Sequence, residues 1–301
     1  MAFQPRNIQV FGVPMDLGQR RRGVDMGPSA LRYAGLDQQL RALGHLVTDN
    51  GNLNVPLPEN EPPDASRARH LSSIAGVCWD VYARALDCLK HDSTAVFLGG
   101  DHSISIGTVS AMDAHGGDVG LLWVDAHGDF NTPETTPSGN VHGMALAALL
   151  GKGPTELTDI GRPGAKLKAS AVALIGTRDL DVGERLALRE SGALVLTMRE
   201  VDEMGMSAAA HLILERLRSF SKLHISLDMD SLDPNEAPGV GTPVPGGLSY
   251  REAHLLMEIL GDSGKVSSLD IVEVNPIIDE RNRTARLGVA LAASLFGQSI
   301  I

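Results

Sequence analysis

Five acceptor side chains stand at alternating positions in two short stretches, Asp125-Ala126-His127-Gly128-Asp129 and Asp228-Met229-Asp230. In extended backbone, residues two apart share a face, so each stretch presents its ligand atoms together. Adding His102, from Gly99-Gly100-Asp101-His102-Ser103, gives a set of four carboxylates and two imidazoles: His102, Asp125, His127, Asp129, Asp228 and Asp230. So much negative charge in one crevice is costly without cations, and one ion rarely needs four carboxylates, so the set predicts two ions. Oxygen-rich ligation with a minority of imidazole favours manganese or magnesium over zinc, and cobalt, nickel and iron are also compatible. Two neighbouring ions that share a water lower its pKa toward neutrality, which makes hydrolysis the expected chemistry.

Other readings of these residues carry less. Asp228-Met229-Asp230-Ser231-Leu232-Asp233 superficially resembles a calcium loop, but it lacks the glycine and distal glutamate of an EF-hand and directly follows an apolar run. Asp101 and Asp233 flank the clusters and fit turn residues or supports of a ligand as well as ligands. His45, His70, His91, His115, His211 and His254 have no candidate ligand clustered near them in the sequence, and His224, which shares strand parity with Asp228, reads as a satisfied interior group.

The clusters need elements that hold them. Gly120-Leu121-Leu122-Trp123-Val124 and Leu223-His224-Ile225-Ser226-Leu227 are short β-prone runs that end in carboxylates. Ala95-Val96-Phe97-Leu98 runs into the Gly99–Ser103 segment, and Asp270-Ile271-Val272 into Glu273-Val274-Asn275-Pro276. Four strands thus end in ionisable groups, and in open α/β sheets the binding crevice lies outside the carboxyl ends of the strands. Further strands are expected at Ile8 to Val13, Ala171 to Ile175 and Ala193 to Leu196. Helices are expected at Gly27 to Leu43, about Ala65 to Lys90, Ile106 to Ala114, Val141 to Leu150, Gly183 to Arg189, Ser207 to Phe220, Tyr250 to Leu260 and Thr284 to Phe296. This alternation predicts a mostly parallel sheet covered by helices, in one domain spanning residues 1–301. The proline-rich stretch Asn54 to Ala65 reads as a surface loop within that domain.

At 301 residues, 43% hydrophobic and 21% charged, the chain has ordinary globular composition. Its 26 Lys plus Arg against 37 Asp plus Glu give a net charge of -11, which disfavours nucleic acid and anionic membrane as partners. No apolar run approaches the roughly 20 residues that cross a bilayer, and the amino end from Met1 lacks the pattern of a secretory signal. A cytoplasmic protein is therefore expected. Cys78 and Cys88 lie ten positions apart in one expected helix, about 15 Å by the helical rise, too far for a disulfide.

The motifs, taken in order, resemble the arginase branch of the ureohydrolase family, which includes arginases and agmatinases. The resemblance rests on Gly12-Val13-Pro14, Gly23-Val24-Asp25-Met26-Gly27-Pro28, Gly99-Gly100-Asp101-His102-Ser103, Asp125-Ala126-His127-Gly128-Asp129, Ser226-Leu227-Asp228-Met229-Asp230 and Asp270-Ile271-Val272-Glu273-Val274-Asn275-Pro276, and it covers nearly the whole chain. It implies a three-layer α/β/α fold and a binuclear manganese centre, two Mn2+ per subunit, that hydrolyses L-arginine to L-ornithine and urea through a metal-bridging hydroxide. By motif position, His102, Asp125, Asp129 and Asp228 would hold one ion and Asp125, His127, Asp228 and Asp230 the other.

The same resemblance implies substrate contacts. Asn131 and Ser138 would bond the α-carboxylate, Asp181, supported by Glu184, the α-amino group, and Thr242 the guanidinium. Asp129 would accept a hydrogen bond from the nucleophile, Glu273 would pair with the guanidinium, and His142 would shuttle a proton to the leaving amine. Family members commonly assemble as trimers or hexamers, and Arg281, Arg283 and Arg286 are candidates for a subunit interface. Two alternatives stay open at this stage: a hydrolase of agmatine or another guanidino compound, and a non-catalytic metal-binding protein on the same scaffold.

Overall fold

The computed structural model describes residues 5–62, 64 and 66–299; the amino-terminal residues 1–4, and Pro63 and Ala65 of the proline-rich loop, lie outside that set. Eight strands occur among the described residues: β1 (Asn7–Val13), β2 (Leu46–Asn52), β3 (Thr94–Gly99), β4 (Val119–Val124), β5 (Val172–Thr177), β6 (Leu194–Thr197), β7 (Lys222–Asp228) and β8 (Val266–Val272). They form one sheet in the order β2-β1-β3-β8-β7-β4-β5-β6, and each neighbouring pair is parallel. The central strands β3, β4 and β7 are buried on both faces, as parallel strands between helices must be; β3 and β4 accordingly read as nearly continuous apolar runs, while β7 buries His224 and Ser226 between its apolar residues.

Alternate residues divide the core into two layers. Val96, Leu98, Leu122, Val124, Ile225 and Leu227 pack on one face, with Leu31, Leu40, Ile213, Leu256 and Leu291 of the helices there. Ala95, Phe97, Leu121 and Trp123 pack on the other, against Ile74 and Val81 of the helix Leu71–Lys90 and against Ile106 and Val109 of Ser105–Ala114. Helices on both faces of one sheet give the expected three-layer α/β/α architecture.

The departures from expectation have local causes. The helix expected over Gly27 to Leu43 is two, Gly27–Tyr33 and Leu36–Ala42, because Gly35 between them takes φ 92°, a left-handed conformation that interrupts the helical hydrogen bonds. The long covering helix starts at Leu71, after His70 at φ 53°. The span Val141 to Leu150 divides into a 3-10 turn, His142–Met144, and the helix Ala145–Leu149. Strand β2 has no counterpart in the sequence reading: it is an edge strand whose residues, Val47 apart, are exposed, so it shows no apolar run. The helix Met198–Met204 also went unread, although Thr197 and Glu200 form the capping box that starts it.

Candidate metal centre

The strands that end in ionisable groups, β3, β8, β7 and β4, are contiguous at the middle of the sheet. Because they run parallel, their carboxyl ends open on the same edge, and the segments after them converge. His102 follows β3, Asp228 closes β7, Asp230 lies in the next turn, and Asp125, His127 and Asp129 follow β4. Gly100 is required at the first of these turns: a Cβ there would lie 1.8 Å from the carbonyl oxygen of Met15.

Two overlapping donor groups result, His102 with Asp125 and Asp129, and Asp125 with His127 and Asp230, each with ligand atoms within 4.8 Å of one another. Asp125 belongs to both. His102 Nδ1 lies 3.2 Å from Asp125 Oδ2, 3.0 Å from Asp129 Oδ2 and 3.2 Å from Asp228 Oδ2, and His127 Nδ1 lies 3.4 Å from Asp125 Oδ1 and 3.1 Å from Asp230 Oδ2. All six expected ligands thus meet in one cluster.

Backbone donors anchor one oxygen of several carboxylates. The N–H of His127 donates to Asp125 Oδ1 at 2.7 Å, that of Asp230 to Asp228 Oδ1 at 2.8 Å, and that of Ala126 to Asp230 Oδ1 at 3.3 Å. Arg178 braces the Asp230 turn, its guanidinium donating to the carbonyls of Asp230, Ser231 and Leu232 and, across the gap, of Val244. Trp123 stacks on the His102 ring at 3.9 Å between centroids and donates Nε1–H to Asp125 Oδ2 at 2.9 Å.

The chemistry of this donor set fits cations. His102 Nδ1 and Asp129 Oδ2 are buried and make no hydrogen bond, although they face each other. Burial, then the charges of Asp230 and Asp125, pushes the Asp228 carboxyl well up, and burial with the Asp125 charge raises Asp129 to about 6. Burial also acts against charge on His102 and His127, but the surrounding carboxylates outweigh it and raise both imidazoles. Carboxylates packed this closely call for positive charge, from protons or from bound cations.

Beside the cluster lies a cavity of about 350 Å³, lined by His127, Asp129, Asp228, Asp230, Thr242, His142, Asn131, Ser138, Asp181 and Glu184 among others. Asn131 Nδ2 donates to Asp181 Oδ2 at 2.9 Å. Glu184 is buried and accepts from the N–H of Phe130 at 2.8 Å and of Asp181 at 3.2 Å, which ties the loop after β4 to the helix Val182–Ser191. The Ser138 hydroxyl accepts from the Asn140 N–H, and the Thr242 hydroxyl donates to Asp230 Oδ2 at 2.8 Å.

Glu273 is 0% exposed and does not line the cavity. Its Oε1 accepts from the His102 N–H at 3.0 Å and lies 2.9 Å from His142 Nδ1, and its Oε2 accepts from Gln19 Nε2 at 2.8 Å. The carboxylate thus stands behind His142, with Oε2 holding one partner, Gln19. Burial opposes charge on His142, but Glu273 and then Asp129 and Asp101 prevail and raise it to about 9.

Asp101 and Asp233 are turn residues. Asp101 accepts from the N–H groups of Gly18 and Ser103, and Asp233 from those of Asn235, Gly246 and Gly247. His224 is an interior group, as expected, between Ser268 and Asp270. Trp123, Ser226, Gln19 and Arg178, which hold these residues, went unread in the sequence; the one signal there was Ser226, a polar residue in β7 at the same parity as Asp228.

Residues 6–297 match the arginase family. The chain belongs to the arginase family. It is 48% identical to an arginase of Bacillus caldovelox over 98% of this chain and 99% of that protein, and 45% identical to one of Bacillus subtilis (strain 168) over the same shares. The crystal structure of the B. caldovelox arginase superposes with a TM-score of 0.96 over 98% of this chain and all of that one. An agmatine ureohydrolase of Thermoplasma volcanium shares the fold at lower similarity, with a TM-score of 0.73 and 26% identity over 97% of this chain and 89% of that one. The resemblance to the arginase family read from six motifs thus extends over the whole described chain.

Proposed function

We propose that the protein hydrolyses L-arginine to L-ornithine and urea, with two Mn2+ per subunit held by His102, Asp125, Asp129 and Asp228 on one side and by Asp125, His127, Asp228 and Asp230 on the other. The observation that carries this reading is the pair of overlapping donor groups that share Asp125, beside a cavity that Asp129, His127 and Asp230 of those groups line together with Asn131, Ser138 and Asp181. When bound, the paired ions supply a water acidic enough to act as a nucleophile near neutral pH.

The chain's own residues do the rest. Asn131 and Ser138 hold the α-carboxylate by neutral donors, and Asp181, kept in place by Glu184 and Asn131, takes the α-amino group. This fixes the guanidinium carbon against the metal-ligand cluster, where proximity supplies much of the rate. Asp129 Oδ2, which has no hydrogen-bond partner, accepts a hydrogen bond from the nucleophile and orients it. The bond from the guanidinium carbon to the side-chain nitrogen then breaks, and His142 gives its proton to the departing amine. Glu273 holds the His142 ring through Nδ1, which leaves Nε2 for that transfer, and favours the protonated imidazole. Thr242 keeps Asp230 aimed at the centre.

A homo-oligomer, trimer or hexamer, belongs to the same reading, with the exposed Arg281, Arg283 and Arg286 at its interface. So does a cytoplasmic location, which agrees with the buried, free thiols of Cys78 and Cys88. Urea release by metal-stripped protein reloaded with Mn2+, with L-arginine and agmatine offered side by side, tests the activity. Turnover of arginine alone supports the proposal; turnover of agmatine alone overturns the substrate assignment and keeps the metal chemistry.

A further inference from the structure

Behind the donor cluster a line of buried hydroxyls runs from His102 into the sheet. It occupies the face of β7 and β8 that carries His224, Ser226 and Asp270, where helix Ser105–Ala114 packs, and these residues with Ser105 and His102 are 0% exposed. At its inner end Asp270 Oδ2 accepts from Ser105 Oγ at 2.8 Å and Thr108 Oγ1 at 2.7 Å, and it lies 3.0 Å from His224 Nε2. The other nitrogen of His224 lies 2.7 Å from Ser268 Oγ, whose hydroxyl can donate to it, so Nε2 is free to carry the proton it shares with Asp270. Three donors on one oxygen make Asp270 the terminal acceptor of the line.

The direction of every other bond follows, because a serine hydroxyl has one proton. Ser105 directs its proton to Asp270, so it accepts in its 2.9 Å contact with Ser226 Oγ. Ser226 has then given its proton to Ser105, so it accepts in its 2.8 Å contact with His102 Nε2. The neutral His102 ring must carry its proton on Nε2 and turn the lone pair of Nδ1 toward Asp125, Asp129 and Asp228. The stacked Trp123 fixes the plane of the ring but not which nitrogen is protonated.

We infer that Asp270, Ser105 and Ser226 are positioning residues that hold His102 in its Nε2–H tautomer and thereby set the affinity of the ion site His102 forms with Asp125 and Asp129. This rests on the reading of the cluster as a metal centre. A metal-ligating imidazole whose other N–H is fixed by a buried acceptor loses about 10- to 100-fold in metal affinity when that support is removed.

Ser105→Ala is the decisive variant, since the Ser105 hydroxyl reaches the His102 ring by way of Ser226, and the variant keeps the Ser105 N–H that bonds the His102 carbonyl. With no Ser105 oxygen to receive it, the Ser226 proton turns onto His102 Nε2, and the ring proton moves to Nδ1, facing the ion. Calorimetric titration of metal-stripped full-length protein with Mn2+ should show one of two binding steps weakened about 10- to 100-fold in Ser105→Ala and in Ser226→Ala. The step that depends on His127 and Asp230 should stay within about threefold of wild type, and the double variant should be no weaker than the weaker single one, as residues of one line do not add. Ser226→Thr, which keeps the hydroxyl, should retain both steps. Unchanged steps in Ser105→Ala overturn the inference, and so does equal weakening of both.

If the alanine variants do not fold, nitrogen NMR of the wild-type protein loaded with diamagnetic Mg2+ decides the matter: a His102 proton on Nε2 supports the inference and one on Nδ1 overturns it. None of these measurements reads urea. A selectively weakened step without urea release would leave the inference standing and remove the arginine reading; urea release with unchanged steps would do the reverse.

Discussion

Asp129 and Glu273 both hold positive φ, 49° and 65°. Aspartate tolerates that region, but for glutamate it costs free energy, of order 1–3 kcal/mol, that surrounding contacts must offset. Glu273 has three such contacts, with His102, Gln19 and His142. Its charge is the leading cause that lifts His142 above its ordinary 6.5 against the effect of burial. If protonated His142 supplies the leaving amine's proton, turnover falls as pH rises through the His142 pKa. Glu273→Gln should therefore move the alkaline limb of the kcat profile to lower pH, and an unmoved limb would separate Glu273 from His142. His142→Ala should lower kcat by about 10²- to 10⁴-fold while Mn2+ content stays at the wild-type value; full turnover from that variant across pH 7 to 10, tested at roughly these limits because general acids act near their pKa, would remove the shuttle role.

Helix Val182–Ser191 is joined to the centre by one buried carboxylate, Glu184, at its third position. Burial, reinforced by the Asp129 charge, raises this group from 4.5 to about 7 against the hydrogen bonds from Phe130 and Asp181. A raised carboxyl means that the folded state binds protons more tightly than the unfolded one, so its stabilising share is fully present below pH 4.5 and is lost as pH rises through about 7. In metal-free protein, thermal melts should show Tm declining over that window, and Glu184→Gln should flatten the decline while lowering Tm at acid pH through the loss of one accepted hydrogen bond. A slope unchanged by the substitution would assign the pH dependence to other groups. The helix also shows what the sequence conceals at this scale. Asp181 and Glu184 were legible as a pair, but that Glu184 reaches the Phe130 N–H depends on β4 and β5 lying side by side.

Across the whole molecule, the converging carboxylates couple ion binding to protonation and to stability. Binding ions displaces the protons that His102 and His127 hold above their ordinary range, so affinity for Mn2+ should rise with pH through neutrality, with proton release visible as buffer-dependent heats in calorimetry. Reloading should stabilise the fold with the logarithm of the free Mn2+ concentration, by about 2.7 kcal/mol at a hundred times the Kd for one site, and raise Tm accordingly. Asp125→Asn, which removes charge from the residue common to both donor groups, should abolish most of that gain together with urea release. A Tm that Mn2+ raises as much in Asp125→Asn as in wild type would count against the shared role.

The sequence by itself singled out the six candidate ligands, the strands beside them and the parallel α/β class, because alternation, apolar runs and turn residues are local properties that short windows carry. His224 was also legible as an interior group, since its parity in β7 is fixed by the pleat. The sequence did not carry the strand order β3-β8-β7-β4, and hence not how the segments near 102, 127, 229 and 273 lie next to one another along the one edge where they were expected to meet. Nor could it turn Glu273 away from the cavity and onto His142, Gln19 and the His102 N–H, or join Ser105 to Asp270 across 165 residues of chain. Those arrangements depend on which strands lie side by side, and that choice is made by the burial of two whole faces of the sheet at once rather than by any segment's own pattern.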